Sequence, residues 1–507
     1  MSLLDVQIDA QPPREWSQYQ LSIFDFIRET PDNLLVQAVA GSGKTTTIVE
    51  GMSYADGVPL FLAFNKAIAT EIGSRITRGE AKTLNALGHR IVMQNWPKAQ
   101  LNANRVRDAV SDSLKVIDRE SPLRECSYAI TRAVSLAKAN AFGLEGMPPV
   151  EPQAFGDLID AYDLGVPADC LDSAGEVAYL IWKELRNDTL TFDFDDQLYL
   201  PLYHEWEFPS VDTVFVDEAQ DLSPVQHGML QSLKATGAGA RIIAVGDRFQ
   251  AIYGFRGACT DSMDQMKRQF NMKELPLSIS YRCAKNVVKE AQKLVPHIEW
   301  REGAPEGLVA TIQGLMEAAY EDEAPHDPEF FPNAMLVLSR TNAPLFKVIL
   351  HHVKNRKPCR VLSNFLDSFQ SWIRSFRKTY CRDLLPRLDA WYEKERDALK
   401  ERGASKGRMA ALQDKWQTAK LLAQEFNTVA EMLEMLKSLS EGRTGPIFST
   451  IHKAKGLEAE QVYLLRPDLC PAPWVDQDSE QMQQEKNLLY VAITRAEREF
   501  TYGVPAQ

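Results

Sequence analysis

An α/β protein built on short buried strands is the fold class this sequence predicts, and three stretches carry the prediction. Residues 33–39 form an apolar run, which Ala40-Gly41-Ser42-Gly43-Lys44-Thr45 turns into a helix continuing through Thr46, Thr47, Ile48 and Val49. Val214-Phe215-Val216 ends in Asp217-Glu218-Ala219-Gln220-Asp221, and the apolar residues 242–245 lead into Gly246-Asp247-Arg248-Phe249-Gln250. Each reads as a strand with polar residues at its carboxyl end, the edge where open α/β sheets place their ligands.

Strand, glycine loop, Gly-Lys-Thr and helix in that order is the context a phosphate loop requires. Gly41 and Gly43 let backbone N–H groups face phosphates, Lys44 adds a point charge near the β and γ phosphates, and Thr45 can ligate magnesium. Position 38 is alanine where the general pattern starts with glycine. Asp217 is the metal-side acid and Glu218 the candidate base for an attacking water. A bare Asp-Glu pair after a strand also reads as an acidic turn, and the glycine loop upstream favours the chemical reading. Gln250 is placed to sense a γ-phosphate, with Tyr253 and Phe255 three and five residues later as base-stacking aromatics. A Gly-rich turn with two core aromatics is the alternative for that stretch taken alone.

With 507 residues the chain has the length for several domains with proper cores. Its 45% hydrophobic and 25% charged residues exclude a disordered or low-complexity chain. A net charge of -12 argues against wholesale coating of DNA but leaves room for a local basic channel, because only charges within a Debye length of the phosphates act on them. The seven cysteines include no CxxC pair, so neither a metal cluster nor a disulfide framework is expected. No run approaches a membrane span and the first residues do not read as a signal peptide, so a soluble cytoplasmic protein of a bacterial or phage-infected cell is expected.

Further blocks follow in order: Leu62-Ala63-Phe64-Asn65-Lys66-Ala67, Thr83-Leu84-Asn85, Ser280-Tyr281-Arg282, residues 450–458 reading TIHKAKGLE, and residues 490–496 reading YVAITRA. With the blocks above, they make the chain resemble the UvrD/Rep/PcrA family of superfamily-1 helicases. The compact insertions and the Phe64-Asn65-Lys66 wording are similar to phage members and F-box helicases.

The resemblance implies ATP with Mg2+ as cofactors. Gln20 and Tyr281 would meet adenine; Ala40, Gly41, Ser42, Gly43, Lys44, Thr45 and Thr46 the phosphates; Thr45 and Asp217 the metal. Arg282 and Arg495 would be cationic fingers, Gln250 the γ-phosphate sensor, and Gly456 and Glu458 part of a ribose-binding turn. Phe64, Asn65, Lys66, Thr83, Tyr253, Phe255, Arg256, Thr450 and His452 would contact DNA. Two departures stand out: Asn85 replaces the family's usual histidine, and Phe255 stands where many relatives have tryptophan.

It further implies two RecA-like parallel-sheet motor domains, each interrupted by a mainly helical insertion. The expected boundaries are 1–89 with 191–277 for the first, 278–364 with 440–507 for the second, 90–190 for the first insertion and 365–439 for a reduced second one. MPPVEP, residues 147–152, reads as a linker or turn. Arg374, Arg377, Lys378 and Arg382 form a basic cluster, for which a solvated helix face is favoured over phosphate contact.

The function expected is an ATP-dependent 3′ to 5′ translocase and helicase acting on single-stranded DNA and single-strand/duplex junctions. A protein loading partner is admitted and a membrane is not. The alternatives are a DNA-stimulated ATPase subunit of a repair, recombination or phage-defence complex, and a scaffold with a relic ATP site, which the intact site residues disfavour.

Overall fold

The structure, a computed structural model, describes residues 15–118, 120–145, 150–162, 164–235, 239–252, 261–313, 335–362, 365–401, 404–442, 444–476 and 479–504. Two six-stranded sheets organise it, and every strand pairing within them is parallel. The first runs in the order Glu80–Thr83, Pro59–Ala63, Thr213–Val216, Arg241–Gly246, Leu34–Ala38, Lys273–Leu277. The second runs Leu308–Gln313, Ala496–Val504, Ala459–Leu465, Met335–Ser339, Ile447–Thr450, Arg360–Leu362. The α/β class with two RecA-like sheets is therefore the class adopted.

Leu34–Ala38, Pro59–Ala63, Thr213–Val216 and Met335–Ser339 are buried at every position. Strands covered by helices on both faces lose the in-out alternation and read as unbroken apolar runs, which is why the sequence betrays them. No helix among the described residues is long and apolar enough to cross a membrane.

After the helix Leu84–Asn95 the chain leaves the first sheet and rejoins it at Thr213–Val216, passing through helices Arg105–Lys115, Ser127–Ala139, Pro152–Ala161 and Leu171–Leu185. Gln100–Leu101 pairs in parallel with Thr191–Phe192, so this excursion starts and finishes side by side. Beneath that ladder Lys138 Nζ lies 2.8 Å from Asp193 and 2.7 Å from Asp196, and Arg105 bonds Asp196 directly and Asp188 at 3.1 Å. Burial pushes the Asp193 carboxyl up to about 6. Burial opposes ionisation of Asp196 too, but Lys138 and Arg105 outweigh it and hold that carboxyl low. Of the expected linker, residues 147–149 lie outside the described residues, and Pro152 opens the next helix.

Between Arg360–Leu362 and Ile447–Thr450 come four helices, Phe365–Ser375, Cys381–Glu401, Lys406–Glu425 and Val429–Glu441. Asp414 fastens them to the second sheet: its carboxylate accepts the backbone N–H of Asn342 at 2.9 Å and of Ala343 at 2.7 Å, where the helix Ala343–Lys354 begins. An anion at a helix N-terminus satisfies otherwise orphaned donors and complements the dipole. Trp372 and Trp391 pack 4.7 Å apart with Lys415 over Trp372 at 4.2 Å. Arg374, Arg377 and Arg382 are exposed, as a solvated face would have them.

Candidate functional site

The strand order explains how distant motifs meet. Thr213–Val216, Arg241–Gly246 and Leu34–Ala38 are consecutive neighbours in the first sheet, and all are parallel. Their carboxyl ends, carrying Asp217-Glu218, Asp247 to Gln250 and the glycine loop, therefore share one edge. Pro59–Ala63 adds Phe64 and Asn65 on the flank. The second lobe approaches with the opposite edge of its sheet: Gly456 and Glu458 precede the strand Ala459–Leu465, and Arg495 precedes Ala496–Val504.

Between the lobes lies a cavity of about 380 Å³. The first lobe lines it with Gly41 to Thr46, Phe64, Asn65, Glu218 and Gln250, and the second with Arg282, Gly456 and Arg495. Gly41 and Gly43 take left-handed φ of 71° and 77°, which a side chain would strain. A Cβ on Gly41 would also sit 2.6 Å from the Arg282 Cβ. Ala38 is a buried residue of the strand itself, so a glycine is not needed there. The Ser42 hydroxyl is buried and has no partner, an orphan donor in a loop shaped for an oxyanion. Behind the loop, Gln20 Nε2 donates to Thr47 Oγ1 at 3.0 Å and the Tyr281 hydroxyl reaches Gln20 Oε1 at 3.4 Å. The Tyr281 ring is 40% exposed, so it keeps a free flank beside Gln20.

Thr45 Oγ1 donates to Asp217 Oδ2 at 2.6 Å. Burial, then the neighbouring Glu218 charge, push the Asp217 carboxyl up to about 6. Burial also works against Glu218, but Lys44 and Lys455 outweigh it and hold that carboxyl below its ordinary value. Two adjacent carboxylates thus separate into one in which burial and its neighbour's charge outweigh Lys44 and one kept ionised. A hydroxyl and an under-compensated carboxylate are hard oxygen donors that suit Mg2+, which takes few protein ligands and completes its shell with phosphate oxygens and water. No group of three or more His, Cys, Asp or Glu side chains among the described residues forms a dedicated metal cage.

The Gln250 amide donates to Asp247 at 2.8 Å, and Asp247 accepts from the Phe249 backbone at 3.0 Å. The Asp247 backbone N–H donates to Gln220 Oε1 at 2.9 Å, and the Gln220 amide in turn donates to Glu218. From the second lobe, Arg495 is 2% exposed, donates to the Leu457 carbonyl at 2.9 Å and lies 3.4 Å from Gln250 Oε1. Burial and the nearby Arg282 depress its pKa to about 10, still charged at neutral pH. Arg282 is held by Glu458 at 2.7 Å and the Thr494 carbonyl at 3.1 Å.

Three residues that make contacts across the cleft escaped the sequence reading. Lys455 Nζ meets Asp221 at 2.5 Å and the Gln250 carbonyl at 2.8 Å. Tyr490, fully buried, accepts the Ala40 backbone N–H at 3.0 Å and faces Asp247 at 3.4 Å. Asn487 donates to the carbonyls of Arg248 and Ala251. Lys455 and Tyr490 lie within the TIHKAKGLE and YVAITRA blocks, so the motifs pointed at them without distinguishing them from their neighbours.

The residues expected to meet DNA are less gathered. Phe64 is 49% exposed at the cavity rim, and Lys66 is exposed beside it. Asn65 and Thr83 act as helix caps, accepting from the backbones of Ile68 and Ala86 at 2.9 and 3.0 Å, a local role the sequence reading did not foresee. Asn85 donates to the Phe194 carbonyl at 2.8 Å and to Gln197. Thr450 ends the strand Ile447–Thr450, His452 lies at the turn that follows, and neither lines the cavity. Tyr253, Phe255 and Arg256 lie outside the described residues.

Two RecA-like sheets facing each other across a glycine loop define a tandem-RecA P-loop protein. The profile for the UvrD/REP helicase N-terminal domain matches residues 182–271 and that for the UvrD-like helicase C-terminal domain residues 338–502, together half of the chain. The chain belongs to the UvrD-like helicase family. It is 25% identical to F-box DNA helicase protein 1 of Schizosaccharomyces pombe over 92% of this chain and 55% of that one. DNA helicase II of Haemophilus influenzae is 22% identical over 73% of this chain and 54% of its own length. ATP-dependent DNA helicase Rep of Escherichia coli is 25% identical over 57% and 46%. The chain thus spans about half the length of these relatives.

Proposed function

We propose that this chain is an ATP-dependent DNA helicase that translocates 3′ to 5′ on single-stranded DNA. The observation that carries the reading is the meeting of Arg495 and Lys455, from the second lobe, with Gln250 of the first, at the head of the stretch that holds Tyr253 and Phe255.

In this reading Gln20 and Tyr281 frame adenine, while Lys44 and the N–H groups of residues 41–45 hold the phosphates. Thr45 and Asp217 would hold Mg2+, whose chemistry is to neutralise charge on the β and γ phosphates. Glu218, kept ionised by Lys44 and Lys455, orients the attacking water and accepts its proton. Arg282 exchanges Glu458 for phosphate oxygen, and Arg495 approaches beside Gln250, so nucleotide binding draws the lobes together.

Closure moves Gln250, and with it the residues that follow. Stacking on Tyr253 and Phe255 is worth about 1 to 3 kcal/mol per base, against a mean of about 1.4 kcal/mol to open a base pair, so one stack can bias one step. The polarity rests on the likeness of the GDRFQAIYGFRG block to the 3′ to 5′ branch. DNA-stimulated ATPase combined with unwinding of 3′-tailed and 5′-tailed duplexes tests the proposal, with Lys44→Ala as the inactive control. A preference for 5′ tails refutes the polarity, and ATPase without unwinding favours a motor subunit that works with a loading partner.

A further inference from the structure

The turn that carries Gln250, Arg248–Gln250, is held from both lobes by different atoms. Two of its side chains bond within the first lobe: Arg248 Nε donates to Gln37 Oε1 at 2.8 Å, and the Gln250 amide donates to Asp247 at 2.8 Å. The backbone carbonyls face the second lobe. Asn487 Nδ2 donates to the Arg248 carbonyl at 3.3 Å and to the Ala251 carbonyl at 3.1 Å, and Lys455 donates to the Gln250 carbonyl between them at 2.8 Å. The Phe249 ring adds to this hold, lying 6.2 Å from Tyr490 and 5.5 Å from His297.

Asn487 is 5% exposed, and its bonding is complete. Two carbonyls can be met only by the NH2 group, which fixes the orientation of the amide and leaves Oδ1 to accept from Gln483 Nε2 at 2.9 Å. A side chain of similar size with no hydrogen to give would take a donor away from a buried carbonyl on the turn.

Asn487 lies on the helix Glu480–Ile493, and Arg495 follows just past its end. Residues four apart stack along one helix face, and positions 487, 491 and 495 keep that spacing. Arg495 Nε donates back to the Val491 carbonyl at 3.1 Å, while its Nη2 lies 3.4 Å from Gln250 Oε1. Tyr490, on the same helix, meets the Ala40 backbone at the head of the glycine loop. A helix rises about 1.5 Å per residue and resists bending, so the grip on the sensor turn and the arginine keep a fixed separation.

We infer that Asn487 is a positioning residue: by holding the carbonyls that bracket Gln250, it sets the Gln250 amide against Arg495, so that one helix delivers sensor and finger to the γ-phosphate together. This rests on the proposed ATPase reading and deepens it, because Gln250 is then placed by the second lobe as well as by its own strand. An asparagine that only cemented the lobes would act on stability and not through Gln250.

The test is a double-mutant cycle of Asn487→Leu with Gln250→Ala, read as ATP turnover in the presence of oligo-dT. Leucine fills similar space with no hydrogen to donate. Asn487→Leu alone is expected to lower kcat by about 10- to 100-fold, as a misplacement of about 1 Å does, while affinity for a fluorescent ADP analogue, which has no γ-phosphate, stays within about twofold of native. In the Gln250→Ala background the same change is expected to lower kcat by less than about twofold, since a residue that acts through Gln250 then has nothing to place. Equal losses in the two backgrounds, native kcat in Asn487→Leu, or a loss of ADP-analogue affinity as large as the loss of kcat overturns the role. If Asn487→Leu does not fold, Asn487→Ser, with one hydrogen for two carbonyls, goes through the same cycle under the same criteria. A native chain that hydrolyses no ATP overturns the ATPase reading itself, whereas a native chain that hydrolyses ATP, with equal losses in the two backgrounds, overturns the role of Asn487 alone.

Discussion

The two lobes contribute to the cleft in opposite ways. In the first, polar groups are already engaged with one another: Thr45 with Asp217, Gln220 with Glu218, Gln250 with Asp247. In the second, Arg282 rests on Glu458 and Thr494 and Arg495 rests on Leu457, all in their own lobe, while Lys455 and the tip of Arg495 reach across. The carboxyl edge of one sheet also faces the amino side of the other. The difference teaches that one lobe is a preassembled cradle and the other a set of charges awaiting a better partner.

The largest expected effect falls on the waiting charges. Arg495→Ala or Arg282→Ala should lower DNA-stimulated turnover by about 10³-fold or more, as loss of an arginine finger does. Near-native turnover in Arg495→Ala would remove the contrast between the lobes. On the cradle side, Glu218→Gln should lower turnover by about 10²- to 10⁴-fold while nucleotide affinity, measured with a fluorescent analogue, stays native. A parallel loss of affinity would mean that Glu218 serves the fold and not the water.

Next come the charges that cross the cleft. Lys455→Met leaves Asp221, already pushed up to about 6 by burial, without its counter-charge, at a cost of about 3 to 5 kcal/mol. The thermal midpoint should drop and largely recover in the double variant with Asp221→Asn; no recovery would deny the pair its role. The smallest effect is a pH dependence. The folded state raises Asp217 from 3.8 to about 6, so its contribution to stability is fully present below 3.8 and is lost as pH rises through 6. Asp217→Asn should therefore stabilise the nucleotide-free chain at pH 7 by about 1 to 3 kcal/mol, with the gain vanishing near pH 4. A gain independent of pH would place its origin elsewhere.

How far the sequence could be read follows from the same contrast. Lys44, Thr45, Asp217, Glu218 and Gln250 announce themselves because each follows an apolar strand and its local chemistry is complete within a few residues. The contacts of Tyr490 with Ala40 and of Lys455 with Asp221 do not, since their meaning comes from partners hundreds of residues away in the other lobe. Asn65 and Thr83 show the reverse problem. Their motif likeness spoke of DNA, while the bonds they make are helix caps that any Asn or Thr before a helix would make. Ala38, where the general pattern has glycine, is a buried residue of the strand that precedes the loop.

The parallel pairing of Gln100–Leu101 with Thr191–Phe192 has a consequence for how such a protein can change over time. Whatever lies between them departs from and comes back to one small two-stranded ladder, separate from the motor sheet. Closing a loop depends only logarithmically on its length, by about 0.6 kcal/mol per doubling. The segment between residues 101 and 191 can therefore change in length at little cost in closure entropy, provided that its packing against Val92, Tyr199 and Val225 is kept. Modularity of this kind lets one engine carry attachments of different length, the joint and that packing being what selection must keep.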